Sequence, residues 1–373
     1  MSWKPREGVY LDSNYGLVYP EGATHYDGIP KDLNEIFHPH WGTFPPQHPM
    51  VNHVVGFAYI ILWLISFFGN GCVVYIFLKT KSLRTPTNMF IVNLAVSDLC
   101  MMTTQGPPVT INAFIQRYWM FGVTGCKVYA LTGGIFGTIS ILSMVVIGYD
   151  RYNVICKGFN GVKITAGKAF GLILFMWLYS TAVCLPPFFG WGGYATEGTL
   201  ITCSYDYLTQ DWNHKTFMLY AFIFNYCTPM VLVISFYTQI VKAVVMHEAA
   251  LKAQAKKMNV ESLRSGEQEG DSAEVKIAKV AITNVMLWVC IWSPYAIVVM
   301  IGCFGNMQLV TPMVAALPSF LAKTASCLNP LVYAISHPKY REAMSKEMPC
   351  LGIGVAGAGP KSDGATTVAT TKA

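Results

Sequence analysis

The chain has 373 residues, of which 53% are hydrophobic and only 12% are charged, and its formal net charge is +6. Soluble domains carry about 25% charged residues, so this balance excludes a disordered chain and argues against a soluble enzyme. A positive charge can indicate nucleic-acid binding, but the basic residues here are scattered between apolar runs and form no clustered face. The composition is that of a membrane protein.

The apolar stretches are long enough to cross a bilayer as helices, which takes about 20 residues each. Residues 1–50 are polar and aromatic and are expected to lie outside the membrane. Seven spans are predicted within residues 51–336, at 54–77, 88–114, 125–155, 169–189, 217–245, 275–303 and 311–336. Lys79, Lys81 and Arg84 follow the first span, so the positive-inside rule puts the N-terminus outside the cell and the C-terminus in the cytosol. The expected fold is therefore an all-α bundle of seven transmembrane helices.

A short amphipathic helix is predicted after the last span, within residues 337–350. Tyr340, Ala343 and Met344 share one face, with Lys and Arg opposite, as in a helix that lies on the membrane surface. Cys350 just beyond it is either a palmitoylation site or an ordinary free thiol. Residues 351–373 are rich in Thr, Ala and Gly and are predicted to be disordered.

Two of the eleven cysteines are predicted to lie on the outer side of the membrane. Cys126 begins the third span, and Cys203 lies in the loop between the fourth and fifth spans. Outside the cell they either form a disulfide, which would hold that loop across the mouth of the bundle, or remain two free thiols.

Lys323 is the most informative residue, because it lies about 12 residues into the last span, near the middle of the membrane. A bare ammonium there costs roughly 2.5–3.5 kcal/mol, so the amine must be paired, deprotonated or chemically capped. Either Lys323 belongs to a structural ion pair or a substrate pathway, or it forms a Schiff base with a carbonyl ligand. Trp292 and Tyr295 beside Pro294, with glycines of the third span such as Gly137 next to Thr138, favour a cavity for a flat, elongated, apolar ligand.

Other polar groups are placed within the spans or at their inner ends. Asp150-Arg151-Tyr152 closes the third span, where the charged pair is either a lock or a membrane-interface anchor. Asn329-Pro330-x-x-Tyr333 interrupts the last span. Asn70 and Asp98 lie inside the first and second spans, and a buried acid at such a position by default indicates function.

These motifs together resemble a rhodopsin-family G-protein-coupled receptor over residues of about 50–348. The motifs are Asn70, LAVSD ending at Asp98, Cys126 with Cys203, D-R-Y at 150–152, Trp177, Pro229, W-S-P at 292–294 and N-P-L-V-Y at 329–333. A lysine six positions before the Asn of that last motif is similar to the pattern of opsins. The segments AKKMNVESLRS and HPKYRE resemble visual rhodopsins of arthropods.

The resemblance implies that Lys323 carries 11-cis-retinal as a protonated Schiff base, which becomes all-trans after light. A buried iminium needs an anion, but the position that holds a Glu in vertebrate visual pigments is Tyr129 here. In invertebrate opsins the matching acid is Glu197, which we expect to be the counterion, with Tyr129 as a hydrogen-bond partner and Thr202 or Tyr205 assisting. Asp98 is the alternative acid, although the family pairs it with Asn329. Ser319 completes the expected set of cavity residues.

The resemblance also implies a signalling mechanism at the inner end. Isomerised retinal presses on Trp292, the sixth span moves outward, and Arg151 leaves Asp150 and lines the opened site with Tyr237 and Tyr333. The expected partners are a Gq-type G protein, arrestin and a receptor kinase, in a photoreceptor rhabdomere membrane. A distant counterion implies a bistable pigment, in which a second photon reverses the first.

A retinal photoisomerase that supplies 11-cis-retinal is the alternative function. Such a protein need not activate a G protein, so the intact motifs at Asp150–Tyr152 and Asn329–Tyr333 favour signalling. No enzymatic or metal site is expected.

Overall fold

The computed structural model describes residues 10–12, 16–18, 22–27, 29–115, 117–257, 273–336 and 338–349. Seven long helices cross one another in a bundle, and a short eighth helix follows them. They are α1 (Pro49–Lys79), α2 (Asn88–Ile115), α3 (Gly122–Tyr152), α4 (Ala166–Cys184), α5 (Trp212–Ala221 and Thr228–Lys257, joined by a π-helical turn at Phe222–Cys227), α6 (Ala273–Phe304), α7 (Pro312–Ser336) and α8 (Pro338–Glu347). The predicted seven-helix fold with a C-terminal eighth helix is confirmed.

Five of these helices, α1, α3, α4, α5 and α6, are long and apolar enough by length and composition to cross a membrane. The other two long helices contain more polar residues. Asp98 and Gln105 lie in α2, Lys323 and Asn329 lie in α7, and three of the four are buried in the bundle while Lys323 is partly buried. The polar groups that lower the hydropathy of α2 and α7 therefore lie mainly inside the protein.

Two short antiparallel strand pairs lie outside the helices. Strands β1 (Tyr10–Asp12) and β2 (Gly16–Val18) pair near the N-terminus, and β3 (Tyr194–Thr196) pairs with β4 (Cys203–Tyr205) in the loop between α4 and α5. Short helical segments connect the longer elements, at Lys31–Ile36, Pro39–Thr43, Lys81–Leu83, Asn153–Lys157, Gly158–Asn160, Pro186–Phe189 and Met307–Leu309.

The core is divided between two large hydrophobic clusters. The first, with Ile36, Trp41 and Phe217, surrounds the β3–β4 hairpin, and we call this the hairpin end of the bundle. The second, with Ile240 and Tyr340, lies toward the other end, which we call the arginine end after Arg151. α3 contacts α2, α4, α5 and α6 and is the central helix.

Several helix ends differ from the predicted spans for local reasons. α1 begins at Pro49, earlier than predicted, because the His48 side chain accepts a hydrogen bond from the Met50 N–H and proline suits a first helical position. α4 ends at Cys184, before the predicted 189, because Pro186 and Pro187 provide no N–H for further helical bonds. α5 starts at Trp212, because the Asp211 carboxylate caps the His214 N–H at 2.8 Å.

The apolar face of α8 has a neighbour within the bundle. Tyr340, Ala343 and Met344 are at most 6% exposed, and the Tyr340 ring stacks on Phe77 of α1 with centroids 5.6 Å apart. The predicted apolar face is confirmed, and part of it packs against α1 of the bundle. Cys350, the tail at 351–373 and the loop segment at 258–272 lie outside the described residues.

Candidate functional site

The β3–β4 hairpin is fixed to the bundle by a disulfide. Cys126 near the start of α3 and Cys203 at the start of β4 are bonded, with their Cα atoms 5.5 Å apart. The predicted disulfide is thereby confirmed, and the alternative of two free thiols was wrong. The bond places β4 at the entrance to the space between the helices.

A cavity lies directly beneath this hairpin. The helices α2, α3, α5, α6 and α7 and the hairpin all contribute to its wall. The predicted site residues in that wall are Tyr129, Gly137, Thr138, Glu197, Trp292, Tyr295, Ser319 and Lys323.

Glu197 is the acid of this cavity and lies in the turn between β3 and β4. It is 3% exposed, and each carboxylate oxygen accepts one hydrogen bond: Oε1 from the Tyr295 hydroxyl at 2.9 Å and Oε2 from the Ser319 hydroxyl at 2.8 Å. Burial raises the pKa of Glu197, while these hydrogen bonds and the charge of Lys323 act in the opposite direction. Glu197 is thus a buried acid whose charge acts on Lys323.

The residues next to Glu197 are held by the N-terminal segment, here defined as residues 22–48. The Trp41 indole N–H donates to the Thr196 carbonyl at 3.0 Å, and the Thr196 hydroxyl donates to the Ile36 carbonyl at 3.0 Å. The His25 ring lies 3.0 Å from the Gly198 carbonyl oxygen. The polar composition of this segment predicts a position outside the membrane but carries no signal for its contact with the hairpin.

Part of the cavity wall is formed by an aromatic ring packed against a glycine. A Cβ atom on Gly137 would lie 3.1 Å from the Trp292 indole, so any larger residue would press on that ring. The Tyr129 hydroxyl is buried and has no hydrogen-bond partner within the described part of the chain. An elongated apolar ligand that reacts with the Lys323 amine fits this space, because the wall is mainly apolar, with an amine and a carboxylate on opposite elements.

The α5 side of the cavity was not predicted. Met218, Phe222, Asn225 and Tyr226 line it, and three of them belong to the π-helical turn at Phe222–Cys227. A π-helical turn shifts the side chains that follow it, often at functional sites. The apolar pattern of the fifth span indicates a helix but carries no signal for such a turn.

A separate polar network joins α1, α2 and α7. The Asn329 amide donates to the Asp98 carboxylate at 2.6 Å, and the Asn70 amide donates to the Ser326 carbonyl at 2.9 Å and to the Ser66 hydroxyl at 3.0 Å. Asp98 is therefore bonded to Asn329 and is not among the cavity-lining residues.

At the arginine end, Arg151 forms an ion pair with the neighbouring Asp150, and the Thr87 hydroxyl donates to the same carboxylate at 3.1 Å. Tyr237 of α5 is buried against Gly148 of α3, one turn before Arg151. The predicted signalling residues Tyr152, Asn329, Pro330 and Tyr333 lie in the last turns of α3 and in α7.

Comparison with known proteins gives a consistent assignment. The family described as "7 transmembrane receptor (rhodopsin family)" matches residues 69–333. Compound eye opsin BCRH2 of Hemigrapsus sanguineus is 47% identical over 92% of both chains, and the lateral eye opsin of Limulus polyphemus is 43% identical over 95% of both. The crystal structure of squid rhodopsin superposes with a TM-score of 0.78 at 40% identity, covering 87% of this chain and 92% of that one.

The chain belongs to the rhodopsin family of seven-transmembrane receptors and, within it, to the opsins, the retinal-binding photoreceptors of vision. It is a multi-pass membrane receptor that acts through a G protein and is not an enzyme.

Proposed function

We propose that this opsin is a bistable visual pigment that binds 11-cis-retinal at Lys323 and activates a Gq-type G protein. The observation that carries the proposal is the Lys323 amine in an aromatic-walled cavity opposite the buried carboxylate of Glu197. Lys323 would hold 11-cis-retinal through a bond from its nitrogen to the aldehyde carbon, formed with loss of water, and the bound retinal would supply light absorption and the change to the all-trans form.

In this proposal the protein residues have distinct roles. Lys323 holds the ligand in place, and Glu197 is the counterion that keeps the attached nitrogen protonated, because a buried cation without an anion costs several kcal/mol. Trp292, two positions before Pro294 in α6, lines the cavity and would contact the ligand. Tyr129, Gly137, Thr138, Tyr295 and Ser319 complete the binding surface.

Reconstitution tests the attachment and the counterion. Protein incubated with 11-cis-retinal is expected to gain a visible absorption band, and Lys323→Ala is expected to abolish it. The matched control is Lys127→Ala, because Lys127 pairs with Glu35 at 2.7 Å on the protein surface and is not a cavity-lining residue. At neutral pH Glu197→Gln is expected to lose most of the visible band to a near-ultraviolet form. A full band in Lys323→Ala would contradict the proposal.

Bistability follows from the position of Glu197 on the hairpin. The hairpin is fixed by the Cys126–Cys203 disulfide, so its carboxylate is expected to remain near the Lys323 nitrogen after illumination and to oppose hydrolysis. Illuminated pigment should persist for hours in the dark and return with light of a second colour. Bleaching to free retinal within minutes at neutral pH would contradict this part of the proposal.

Signalling through Gq is supported by the kind of relatives, which are opsins of invertebrate eyes. In membranes that contain the regenerated pigment, light is expected to stimulate nucleotide exchange on a Gq-type protein well above exchange on a transducin-type protein. Equal or reversed preference would contradict Gq coupling. The same proposal includes regulation by a receptor kinase and arrestin, palmitoylation at Cys350, and a rhabdomere membrane with the N-terminus outside and the C-terminus in the cytosol.

A further inference from the structure

Ser204 of β4 extends the set of hydrogen bonds at Glu197 by one residue. Its hydroxyl lies 2.5 Å from the hydroxyl of Tyr295, and Tyr295 in turn lies 2.9 Å from Glu197 Oε1. In the strand pair, Ser204 is opposite Ala195, two positions before Glu197, so the hairpin carries both ends of this chain of contacts.

The direction of these hydrogen bonds is fixed by donor counting. An ionised carboxylate can only accept hydrogen bonds, so Tyr295 must donate its single hydroxyl proton to Glu197. The hydrogen bond between Ser204 and Tyr295 is then donated by Ser204. Because neighbouring hydrogen bonds polarise one another, this bond makes Tyr295 a stronger donor to Glu197.

We propose that Ser204 is a positioning residue of the ligand site, which orients the Tyr295 hydroxyl toward Glu197 and thereby keeps Glu197 ionised opposite Lys323. The proposal rests on the counterion role proposed above for Glu197. Ser319 supports the other carboxylate oxygen directly, so the two serines act on separate atoms of one group.

The surroundings of Glu197 are otherwise built from weakly acidic or basic groups. The titratable groups that act on it from the packed elements are Tyr59 of α1, Tyr129 of α3, Tyr207 after β4, Tyr295 of α6 and Lys323 of α7. The tyrosines are neutral at the pH at which a carboxylate titrates. His25 of the N-terminal segment also lies close by, 3.0 Å from the Gly198 carbonyl oxygen. The part of the acid titration that Glu197→Gln removes therefore reports on Glu197.

The test is an acid titration of the visible band of protein regenerated with 11-cis-retinal, in buffer without chloride. Hydrogen bonds to the ionised form lower the pKa of a carboxyl group, so their loss lets Glu197 protonate at higher pH. Ser204→Ala is expected to raise the midpoint of the spectral change by about one pH unit, and Ser204→Thr to restore it. Tyr295→Phe is expected to raise the midpoint at least as far, and adding Ser204→Ala to it to have no further effect.

Two controls separate this role from packing. Ser293→Ala removes a similar contact, between Ser293 and the Tyr226 hydroxyl at 2.6 Å, and is expected to leave the midpoint unchanged. The Thr and Val side chains have nearly the same shape, but only Thr has a hydroxyl. If Ser204→Ala does not assemble, comparing Ser204→Thr with Ser204→Val therefore tests the same loss of the hydroxyl. Val is expected to behave as Ala does.

The outcomes distinguish the two proposals. An unchanged midpoint in Ser204→Ala and Ser204→Val would overturn the role of Ser204 and leave Glu197 as the counterion. The same conclusion would follow if adding Ser204→Ala to Tyr295→Phe raised the midpoint by a further full shift. If the visible band of Glu197→Gln changes with acid at the same midpoint pH as that of the parent protein, both the counterion assignment and the Ser204 proposal are overturned.

Discussion

The hairpin end and the arginine end of the bundle are held together in different ways. At the hairpin end a disulfide, the N-terminal segment and hydrogen bonds to both oxygens of Glu197 connect residues far apart in the sequence. At the arginine end the polar contacts of Asp150 are with its neighbour Arg151 and with the Thr87 hydroxyl. The contrast indicates that the ligand-binding half is built to remain in place while the other half can change its packing.

This division fits the task of a receptor whose ligand is covalently attached. A site fixed by long-range bonds holds the reacting groups in position, while the opposite end needs two packed arrangements that differ by a few kcal/mol. The polar network of Asn70, Asp98 and Asn329 lies apart from the cavity and joins α1, α2 and α7. If this view is right, substitutions at the hairpin end should affect ligand binding, and substitutions at the arginine end should affect signalling.

The largest effect is expected from removal of the disulfide. Replacing both Cys126 and Cys203 by Ala removes a covalent link between residues 77 positions apart. Loss of such a link lowers the free energy of unfolding by about 2–5 kcal/mol. Glu197 then loses its fixed position, so the yield of pigment and its thermal half-life should fall more than tenfold. The measurement is decay of the visible band at constant temperature. Cys290→Ala, at an exposed free cysteine of α6, is the control, and a parent-like half-life in the double variant would refute the rigid-hairpin view.

Asn329→Ala should destabilise the dark pigment without changing its colour. It leaves the Asp98 carboxylate, which is 1% exposed, without the donor at 2.6 Å, and loss of such a buried bond costs about 1–3 kcal/mol. The absorption maximum should stay within a few nanometres because Asp98 does not line the cavity. A change of colour comparable to that of Glu197→Gln would make Asp98 part of the counterion.

Asp150→Asn should raise dark activity. It removes the negative charge that holds Arg151 at the inner end of α3, and an interaction of about 1 kcal/mol corresponds to a several-fold change in the population of the active state. Nucleotide exchange in darkness should rise several-fold, while the absorption band stays in place. Thr87→Ala removes the weaker contact with the same carboxylate and should give a smaller rise. Loss of the band in Asp150→Asn would show that the two ends are not separable.

The sequence predicts the helices well because the apolar runs are long, and it predicts Lys323 because a charge inside a span is conspicuous. It does not predict how Trp41 and Thr196 meet, since that contact joins an aperiodic segment to a loop 155 residues away. The amphipathic pattern of α8 reveals an apolar face but not that Tyr340 of this face stacks on Phe77 of α1. Ser204 was missed because the short strand β4 gives too few residues to show an alternating pattern.

The smallest effect on stability is expected from Tyr237→Phe, which separates stability from signalling most sharply. The Tyr237 hydroxyl is buried without a hydrogen-bond partner in the part of the chain that the structure describes, so its removal should not lower dark stability. If that hydroxyl binds Arg151 only after the arginine end repacks, light-driven nucleotide exchange should fall several-fold. Parent-like exchange would mean that Tyr237 merely fills space, whereas a large loss of dark stability would mean that its hydroxyl already has a partner before light.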